Sequence, residues 1–192
     1  MLGKVNLLLP TVMTIWCLIV LPLLRQLNCL MTMMPLFIFL PKAILHAHRA
    51  LISSCLTEQK HHSQKHDDVF LCIPPLYHTG AKMHWFGSLI SGSKAVLLRG
   101  VKPEWVLQAV SEEKATIVWL LVPWVQDILD AIDRSEIKPE NYRLEQWRLM
   151  HIGAQPVPPS LIRRWKKVFP HHQYDTNYGL SESIGPGCVH LG

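Results

Sequence analysis

The sequence lacks paired cysteines. Its five cysteines are scattered along the chain, and no two of them form a C-x-x-C pair. A disulfide framework or a structural zinc site needs cysteines at defined short spacings. The set is therefore typical of reduced thiols, each acting as a small apolar residue. This usage indicates a cytoplasmic protein.

The sequence also lacks a block of basic residues. The formal net charge is +5, from 19 Lys and Arg against 14 Asp and Glu, but the excess is spread along the chain. Proteins that bind nucleic acids usually concentrate this charge on one face or in one segment. We therefore expect no nucleic-acid partner. Seven tryptophans and 192 residues are sufficient for a folded domain with a core of its own.

Long apolar runs are confined to the first forty residues. Residues 5–24 are almost wholly apolar, with Lys4 before them and Arg25 after them. A membrane-spanning helix needs about 20 apolar residues, so one interpretation is membrane association through 5–24, as an anchor or an uncleaved signal segment. We therefore divide the chain into an apolar segment, 1–40, and a second part, 41–192.

From residue 41 onward the pattern is that of an α/β protein. Short apolar or β-branched runs predict strands, and apolar residues at helical spacing, with Pro103 at a helix start, predict the helices between them. The predicted strands lie at 69–73, 95–98, 116–121 and 147–152, and the predicted helices at 103–114, 125–132 and 158–169. Strands that alternate with helices imply a mostly parallel sheet flanked by helices on both faces.

Three predicted loops hold the polar residues that could carry chemistry, and open α/β sheets place ligands at such strand ends. The first loop, 74–80, lets Tyr77 and His78 project at the mouth of a helix, and the alternative is a simple capping turn. The second, 153–156, has small residues against which a flat ring can lie. The third, 174–182, offers a tyrosine that could stack on a nucleotide base, a hydroxyl that suits a phosphate oxygen, and a carboxylate that suits magnesium. Its alternative is a polar loop with Ser181 as a helix cap.

Four motifs in order give these loops a common interpretation. They read PKAILHAHR at 41–49, PLYHTG at 75–80, GAQP at 153–156 and YGLSE at 178–182. Together they resemble the adenylate-forming (AMP-binding) enzyme superfamily, and most nearly its acyl-CoA synthetase or long-chain fatty-acid–CoA ligase branch. The resemblance covers 41–192. It implies part of the large N-terminal domain of such an enzyme, preceded by an anomalous apolar segment.

The resemblance implies a ligase that joins a carboxylic acid to CoA in two steps. The carboxylate attacks the α-phosphate of Mg·ATP to give an acyl-adenylate, and the CoA thiol then displaces AMP. The implied cofactors are ATP, Mg²⁺ and CoA, and the implied substrate is a fatty acid or another carboxylic acid, with fatty acids preferred over aryl acids.

The resemblance also implies roles for individual residues. Glu182 would hold the metal, Ser181 would touch phosphate, and His78 would border the acyl and adenylate site. The remaining implied cofactor-binding residues are Lys42 in the phosphate loop, Gly153, Ala154 and Gln155 beside adenine, and Tyr178 with Gly179 stacking on it.

Two departures from the family pattern predict a catalytically incomplete chain. The family has a loop rich in serine, threonine and glycine before the equivalent of Pro41, but this sequence has PLFIFL at 35–40. The sequence also ends at Gly192, before the C-terminal domain that carries the adenylation lysine. We therefore expect a fragment that is inactive alone. A second polypeptide is one possible source of the phosphate loop and the C-terminal domain. The alternative is a membrane-anchored, non-catalytic module that binds a nucleotide or an acyl group.

A frameshift is a second explanation for residues 1–40. In the shifted reading frame that begins at the third base of the Met31 codon, the codons of Met31 to Pro35 encode Asp-x-Asp-Ala. This resembles the acidic stretch that precedes the phosphate loop in the family. The hypothesis is that a deletion removed the loop and shifted the reading frame.

Histidines outside these motifs predict surface loops. His61, His62 and His66 could bind a metal, but no carboxylate or thiol completes a ligand set at a suitable spacing nearby. We therefore expect a solvated loop there, and the same for His171 and His172.

Overall fold

The sheet of this protein is built around five parallel strands. The computed structural model describes residues 35–38 and 44–191. The strands are β1 Pro35–Ile38, β2 Ile44–Ala47, β3 Val69–Cys72, β4 Lys94–Leu97, β5 Ile117–Leu121, β6 Leu149–Gly153, β7 Gln173–Leu180 and β8 Gly185–Leu191. The main sheet has the order β4-β3-β5-β6-β7-β8, in which only the β7–β8 pair is antiparallel. Strands β1 and β2 form a separate antiparallel pair.

Helices connect these strands, and those predicted at 103–114, 125–132 and 158–169 are confirmed. The helices are α1 His48–His61, α2 Thr79–Ser91, α3 Pro103–Glu113, α4 Val122–Asp133 and α5 Pro159–Val168, with short 3-10 helices at Pro139–Asn141 and Ser181–Ser183. Within the described ranges, no helix is long and apolar enough to cross a membrane. The apolar segment 5–24 and the codon argument for 1–40 concern residues that lie almost entirely outside those ranges.

Side chains from each strand pack on both faces of the sheet. In β5, Val118 and Leu120 belong to the large core that includes α3, α4 and α5, whereas Ile117 and Trp119 face the opposite side. This alternation follows from the two-residue period of a strand. The second face is covered by α1 and α2, which pack against each other. The predicted α/β class, with helices on both faces of a parallel sheet, is confirmed.

The predicted loop at 174–182 is wrong for most of its length. Strand β7 continues to Leu180, because β8 supplies an antiparallel partner from Asp175↔Leu191 to Leu180↔Gly185. The register shifts between Tyr178 and Gly179. The motif therefore lies on a strand and on the 3-10 helix that follows it.

Asp68 joins the amino-terminal ends of three strands. Its Oδ1 accepts hydrogen bonds from Thr116 Oγ1 at 2.6 Å and Arg148 Nε at 3.0 Å. Its Oδ2 accepts from Arg148 Nη2 at 2.7 Å and from the Lys65 N–H at 2.8 Å. Burial opposes ionisation, but the bonds from Arg148, Thr116 and Lys65 outweigh it and lower the pKa of Asp68.

Replacing Asp68 by alanine is expected to lower the free energy of unfolding by about 2–3 kcal/mol at pH 7, because it removes a buried acceptor from several donors. Since the pKa is lower in the folded state, this stabilisation is present above the unfolded pKa of about 4 and is lost as the pH falls through the folded value. Urea unfolding at pH 7 and pH 3 measures both effects. The exposed neighbour Asp67→Ala is the matched control. An equal loss for the two variants at pH 7 would contradict the prediction.

Candidate functional site

A cavity of about 1170 Å³ opens at the carboxyl ends of the parallel strands. Its walls come from the loops after β3 and β6, from the junction of β5 with α4, and from strand β7 with the 3-10 helix after it. Open α/β sheets bind ligands at this edge, because the loops there converge while the strands hold them in place.

The first wall is the connection from β3 to α2, which confirms the predicted loop followed by a helix. His78 lines the cavity with an exposed side chain, and its ring lies 4.5 Å from that of Tyr77. Gly80 lies in the first turn of α2, where a Cβ atom would come within 2.5 Å of Cη2 of Trp119. A larger residue there would collide with a ring that is itself part of the cavity wall.

The second wall is the turn after β6. Ala154 and Gln155 are exposed and line the cavity, whereas Gly153 is buried at the end of the strand. A Cβ atom on Gly153 would lie 2.8 Å from Asn177 Oδ1, so glycine permits a close approach of β6 and β7. Ala154 has φ +68°, in the left-handed region. That conformation is strained for a residue with a Cβ atom, and such strain often occurs at functional turns.

Ala154→Gly is expected to stabilise the protein by about 0.5–1 kcal/mol. Relief of the left-handed strain gains roughly 1–2 kcal/mol, and the greater freedom of glycine in the unfolded chain offsets about half of it. Urea unfolding compares this variant with the parent. Ala109→Gly, in α3, is the control with the opposite expected sign, since glycine costs about 1 kcal/mol in a helix. Destabilisation by Ala154→Gly would contradict the prediction.

The third wall is the end of β7 with the 3-10 helix. Tyr178, Gly179 and Ser181 line the cavity, and the ring of Tyr178 is 62% exposed. The carbonyl of Ser181 accepts a hydrogen bond from Nε2 of His46 at 2.8 Å, which ties this wall to the residues before α1. Glu182 is exposed on the 3-10 helix and is not part of the cavity lining.

The structure thus brings most of the predicted site residues together. Those that line one cavity are His78, Ala154, Gln155, Tyr178, Gly179 and Ser181. Gly153 supports the wall from behind, Glu182 lies beside it, and Lys42 lies outside the described residues. The role of each residue stays a prediction.

Sequence reasoning missed a buried group of histidines and carboxylates behind the cavity. We call it the histidine–carboxylate cluster, and its members are Glu58, His61, His62, His84, His151 and Asp175. Its centre is Asp175, which is fully buried and accepts hydrogen bonds from His151 Nδ1 at 2.6 Å, His61 Nε2 at 3.1 Å and His62 Nε2. His84 and His151 also line the cavity, so the cluster adjoins it directly.

Burial controls the pKa values in the cluster. It raises the pKa of Glu58, although His62 opposes that shift, and it lowers the pKa values of His62 and His84. Burial alone would raise the pKa of Asp175, but hydrogen bonds from His151 and His62 dominate and hold it well below its usual range. Asp175 therefore stays ionised at neutral pH.

The predicted surface loops are wrong for three histidines. His61 is the last residue of α1, is only partly exposed and bonds Asp175. His62 is only 2% exposed, because Asp175 and Glu58 supply the carboxylates that its own neighbourhood in sequence lacks. His172 is also buried and stacks on Phe169, whereas His66 and His171 are exposed as predicted. One signal could have indicated His62: Glu58 and His62 are four residues apart, the spacing that places two side chains on one helix face.

A sequence model described as AMP-binding enzyme matches residues 40–191. The chain belongs to the AMP-binding enzyme family. The predicted resemblance to this family is confirmed.

Its similarity to curated proteins covers only part of their length. It is 29% identical over 148 residues to the 4-coumarate–CoA ligase-like protein 3 of Arabidopsis thaliana, a match that covers 77% of this chain and 26% of the relative. It is 29% identical over 150 residues to an acyl-CoA ligase of Ajellomyces capsulatus, covering 77% and 24%. The chain therefore spans about a quarter of the length of these relatives.

Solved structures of the family share the fold. A long-chain-fatty-acid–CoA ligase from Archaeoglobus fulgidus superposes with a TM-score of 0.70 at 17% identity, over 78% of this chain and 31% of that one. O-succinylbenzoate coenzyme A synthetase from Bacillus subtilis, in complex with ATP and magnesium ion, gives a TM-score of 0.67 at 19% identity, over 78% and 29%. At these identities the likeness concerns the fold alone.

Proposed function

We propose that this chain provides the adenylate-binding part of an ATP-dependent acyl-CoA synthetase. The proposed reaction converts a carboxylic acid and ATP into an acyl-adenylate and pyrophosphate, and then into a CoA thioester and AMP. Because the chain spans about a quarter of its relatives, the complete reaction is proposed only for an assembly that supplies their other parts. The 192 residues by themselves are proposed to bind the adenylate but not to catalyse the reaction.

The observation that carries this proposal is the convergence of three motifs on one cavity. His78, the Ala154–Gln155 turn and the residues from Tyr178 to Ser181 come from three separate segments of the chain. A common ligand explains why the exposed polar groups of all three meet there. Ligand sites in proteins are concave and combine mostly apolar walls with a few polar groups, as this cavity does with Trp119, Leu121 and Trp124 in its lining.

We assign adenine to the part of the cavity lined by the second and third walls. The exposed Tyr178 offers a flat ring face, and Ala154, which lines the same cavity, is small enough to allow a second flat contact. The hydroxyl of Ser181 could donate a hydrogen bond to an α-phosphate oxygen, since this side chain reaches the cavity. His78 borders the remaining space, which we assign to the acyl group.

Mg²⁺ commonly binds one or two carboxylates together with phosphate oxygens of its nucleotide, and Glu182 offers one exposed carboxylate beside Ser181. When bound, the ion would neutralise charge on the phosphates. The chain's own residues would orient the nucleotide and keep water from the α-phosphate. For the substrate we propose a carboxylic acid with an apolar body, a fatty acid before an aryl acid.

Nucleotide binding tests the proposal. The experiment measures the affinity of the chain for AMP, and for a non-hydrolysable fatty acyl-adenylate analogue, by calorimetry. Stacking of a base on an aromatic side chain contributes roughly 1–3 kcal/mol, so Tyr178→Ala is expected to weaken AMP binding about 5- to 150-fold. Tyr77→Ala is a close control, since Tyr77 is 60% exposed but does not line the cavity.

Two outcomes would contradict the proposal. One is the absence of AMP binding by the folded chain, and the other is an equal loss for Tyr178→Ala and Tyr77→Ala. A coumaroyl-adenylate analogue that binds more tightly than the fatty acyl analogue would overturn the substrate preference alone. Pyrophosphate release that appears only on co-expression with the remaining part of a ligase would support the missing second fragment.

A further inference from the structure

The histidine–carboxylate cluster has an unused set of ligand atoms at its centre. Glu58 lies on α1 and His62 directly follows the last residue of that helix, while His84 comes from α2, which packs against α1. All three side chains are buried: Glu58, His62 and His84 are each 2% exposed. One potential ligand atom from each residue lies within 4.8 Å of the others.

We propose that Glu58, His62 and His84 form a binding site for a divalent transition-metal ion, with zinc as the probe. Zinc sites with two histidines and one glutamate are a known ligand class, and the fourth position is then left for water or another ligand. Imidazole ligands favour zinc, copper or nickel over magnesium and calcium, which prefer sets made of oxygen atoms alone. This site is therefore separate from the Mg²⁺ position proposed at Glu182, and it does not depend on the proposed function.

The spacing of the ligand atoms is suitable for a metal. Tetrahedral zinc with bonds of about 2.0–2.1 Å to nitrogen places its ligands roughly 3.3–3.4 Å apart. One potential ligand atom of each of the three residues lies within 4.8 Å of the others, so side-chain rotations can close the set. His62 would bind through Nδ1, because its Nε2 bonds Asp175.

Unpartnered polar atoms are the second, independent observation. His62 Nδ1 and His84 Nε2 are buried and have no hydrogen-bond partner among the described residues, whereas Glu58 Oε2 lies 3.3 Å from His62 Nε2. Buried polar atoms in native proteins are almost always paired, and an unpaired one is destabilising. Two unpaired nitrogens on neighbouring imidazole rings, beside a buried carboxylate, indicate a ligand that they share, and a metal ion satisfies lone pairs on nitrogen and oxygen together.

Asp175 lies where a carboxylate would hold the ring of a metal-binding histidine in place without binding the metal itself. A histidine that binds a metal through one ring nitrogen usually donates the other N–H to a carboxylate, which fixes the ring. Asp175 accepts from Nε2 of His62, and the Nδ1 of that ring is the nitrogen without a partner. Asp175 also holds His151, whose ring packs against that of His84 with centroids 4.6 Å apart. The ligands are thus fixed by contacts that exist without the metal.

Metal binding by the tag-free chain tests the proposal. The chain is stripped with a chelator and titrated with zinc against a chromophoric chelator, and cobalt(II) then serves as a spectroscopic probe of coordination. We expect one tight equivalent of zinc and a rise in Tm on binding. His84→Gln and Glu58→Gln remove one ligand each at nearly constant size and should abolish the tight equivalent. Loss of a group that hydrogen-bonds to a metal ligand typically weakens metal affinity about 10- to 100-fold. We expect a loss of this size for Asp175→Asn.

His171→Gln is the matched control, because His171 is exposed and should bind metal only weakly. If the variants do not fold, the ¹⁵N chemical shifts of the histidine rings in the unaltered chain test the proposal instead. The ring nitrogens of His62 and His84 should shift with the first equivalent of zinc. The proposal is overturned if only the resonances of exposed histidines shift, or if the glutamine variants still bind one equivalent of zinc tightly. It is also overturned if the unaltered chain binds zinc only weakly and His171→Gln removes that binding.

Discussion

Replacing Asp175 by alanine is expected to lower the free energy of unfolding by about 3–5 kcal/mol, the cost of removing one partner from a buried ion pair. The carboxylate is fully buried and accepts hydrogen bonds from three histidines, His61, His62 and His151. Its loss leaves buried N–H groups without an acceptor and opens a cavity between β7 and α1. Urea unfolding in the presence of a chelator measures the change without any contribution from metal.

Two further variants show whether the charge or the hydrogen bonds are responsible. Asp175→Asn keeps the shape and one acceptor oxygen, so it should retain part of the stability that alanine loses. Asp127→Ala, an exposed position on α4, should change the stability by no more than about 0.5 kcal/mol. If Asp175→Ala costs no more than Asp127→Ala, the three histidines do not depend on the carboxylate.

The regular elements of this fold could be predicted because their signals are local. The strand at Ile117–Leu121 is a continuous apolar run, and the helix at Pro103–Glu113 begins at a proline and repeats its apolar residues at helical spacing. Both signals lie within a dozen residues of sequence. The loop at 174–182 failed because its structure depends on β8, a partner strand that its own sequence does not indicate.

The residues around the cavity were accessible to sequence reasoning for a different reason. His78, Ala154 and Tyr178 belong to short motifs that carry their family signal without any knowledge of the fold. Motifs name residues but not their directions, so the exposed position of Glu182, outside the cavity lining, could not be foreseen.

The histidine–carboxylate cluster has neither kind of signal. His62 and Asp175 are 113 residues apart, and no spacing rule connects them. Their meeting depends on the strand order β6–β7 and on α1 packing over that end of the sheet. Glu58 would have been assigned to the solvent face of a helix, as charged residues usually are, but it is buried.

The site thus has two layers with different physical characters. The rim, with Tyr178 at the end of β7 and Ala154 in the turn after β6, is exposed, so changes there should affect ligand affinity more than stability. The floor, with His84 and His151 of the histidine–carboxylate cluster, is buried, so changes there should affect stability first. Binding and unfolding measurements on one variant of each layer would separate the two contributions.

On the other face of the sheet, Trp165→Ala is expected to lower the free energy of unfolding by about 3–5 kcal/mol. Trp165 is fully buried, and its ring centroid lies 4.5 Å from that of Phe169 and 5.3 Å from that of Trp147. The aromatic group joins α5 to the segment just before β6, and truncation would leave a large cavity that rigid neighbouring rings cannot fill. Differential scanning calorimetry should show a Tm lower by roughly 10 °C, on a scale of 2–4 °C per kcal/mol for a chain of this size.

Trp165→Phe separates the two components of this loss. The buried Nε1–H of Trp165 has no hydrogen-bond partner within the described part of the chain, so phenylalanine removes an unpaired donor while it keeps most of the ring. The expected cost is therefore below about 1.5 kcal/mol, as for other apolar replacements of similar size. Trp105→Ala, on the partly exposed surface of α3, should cost less than Trp165→Ala. Since Trp165 does not line the cavity, the folded fraction of either Trp165 variant should bind AMP with unchanged affinity, and a change in that affinity would show that the two faces of the sheet are coupled.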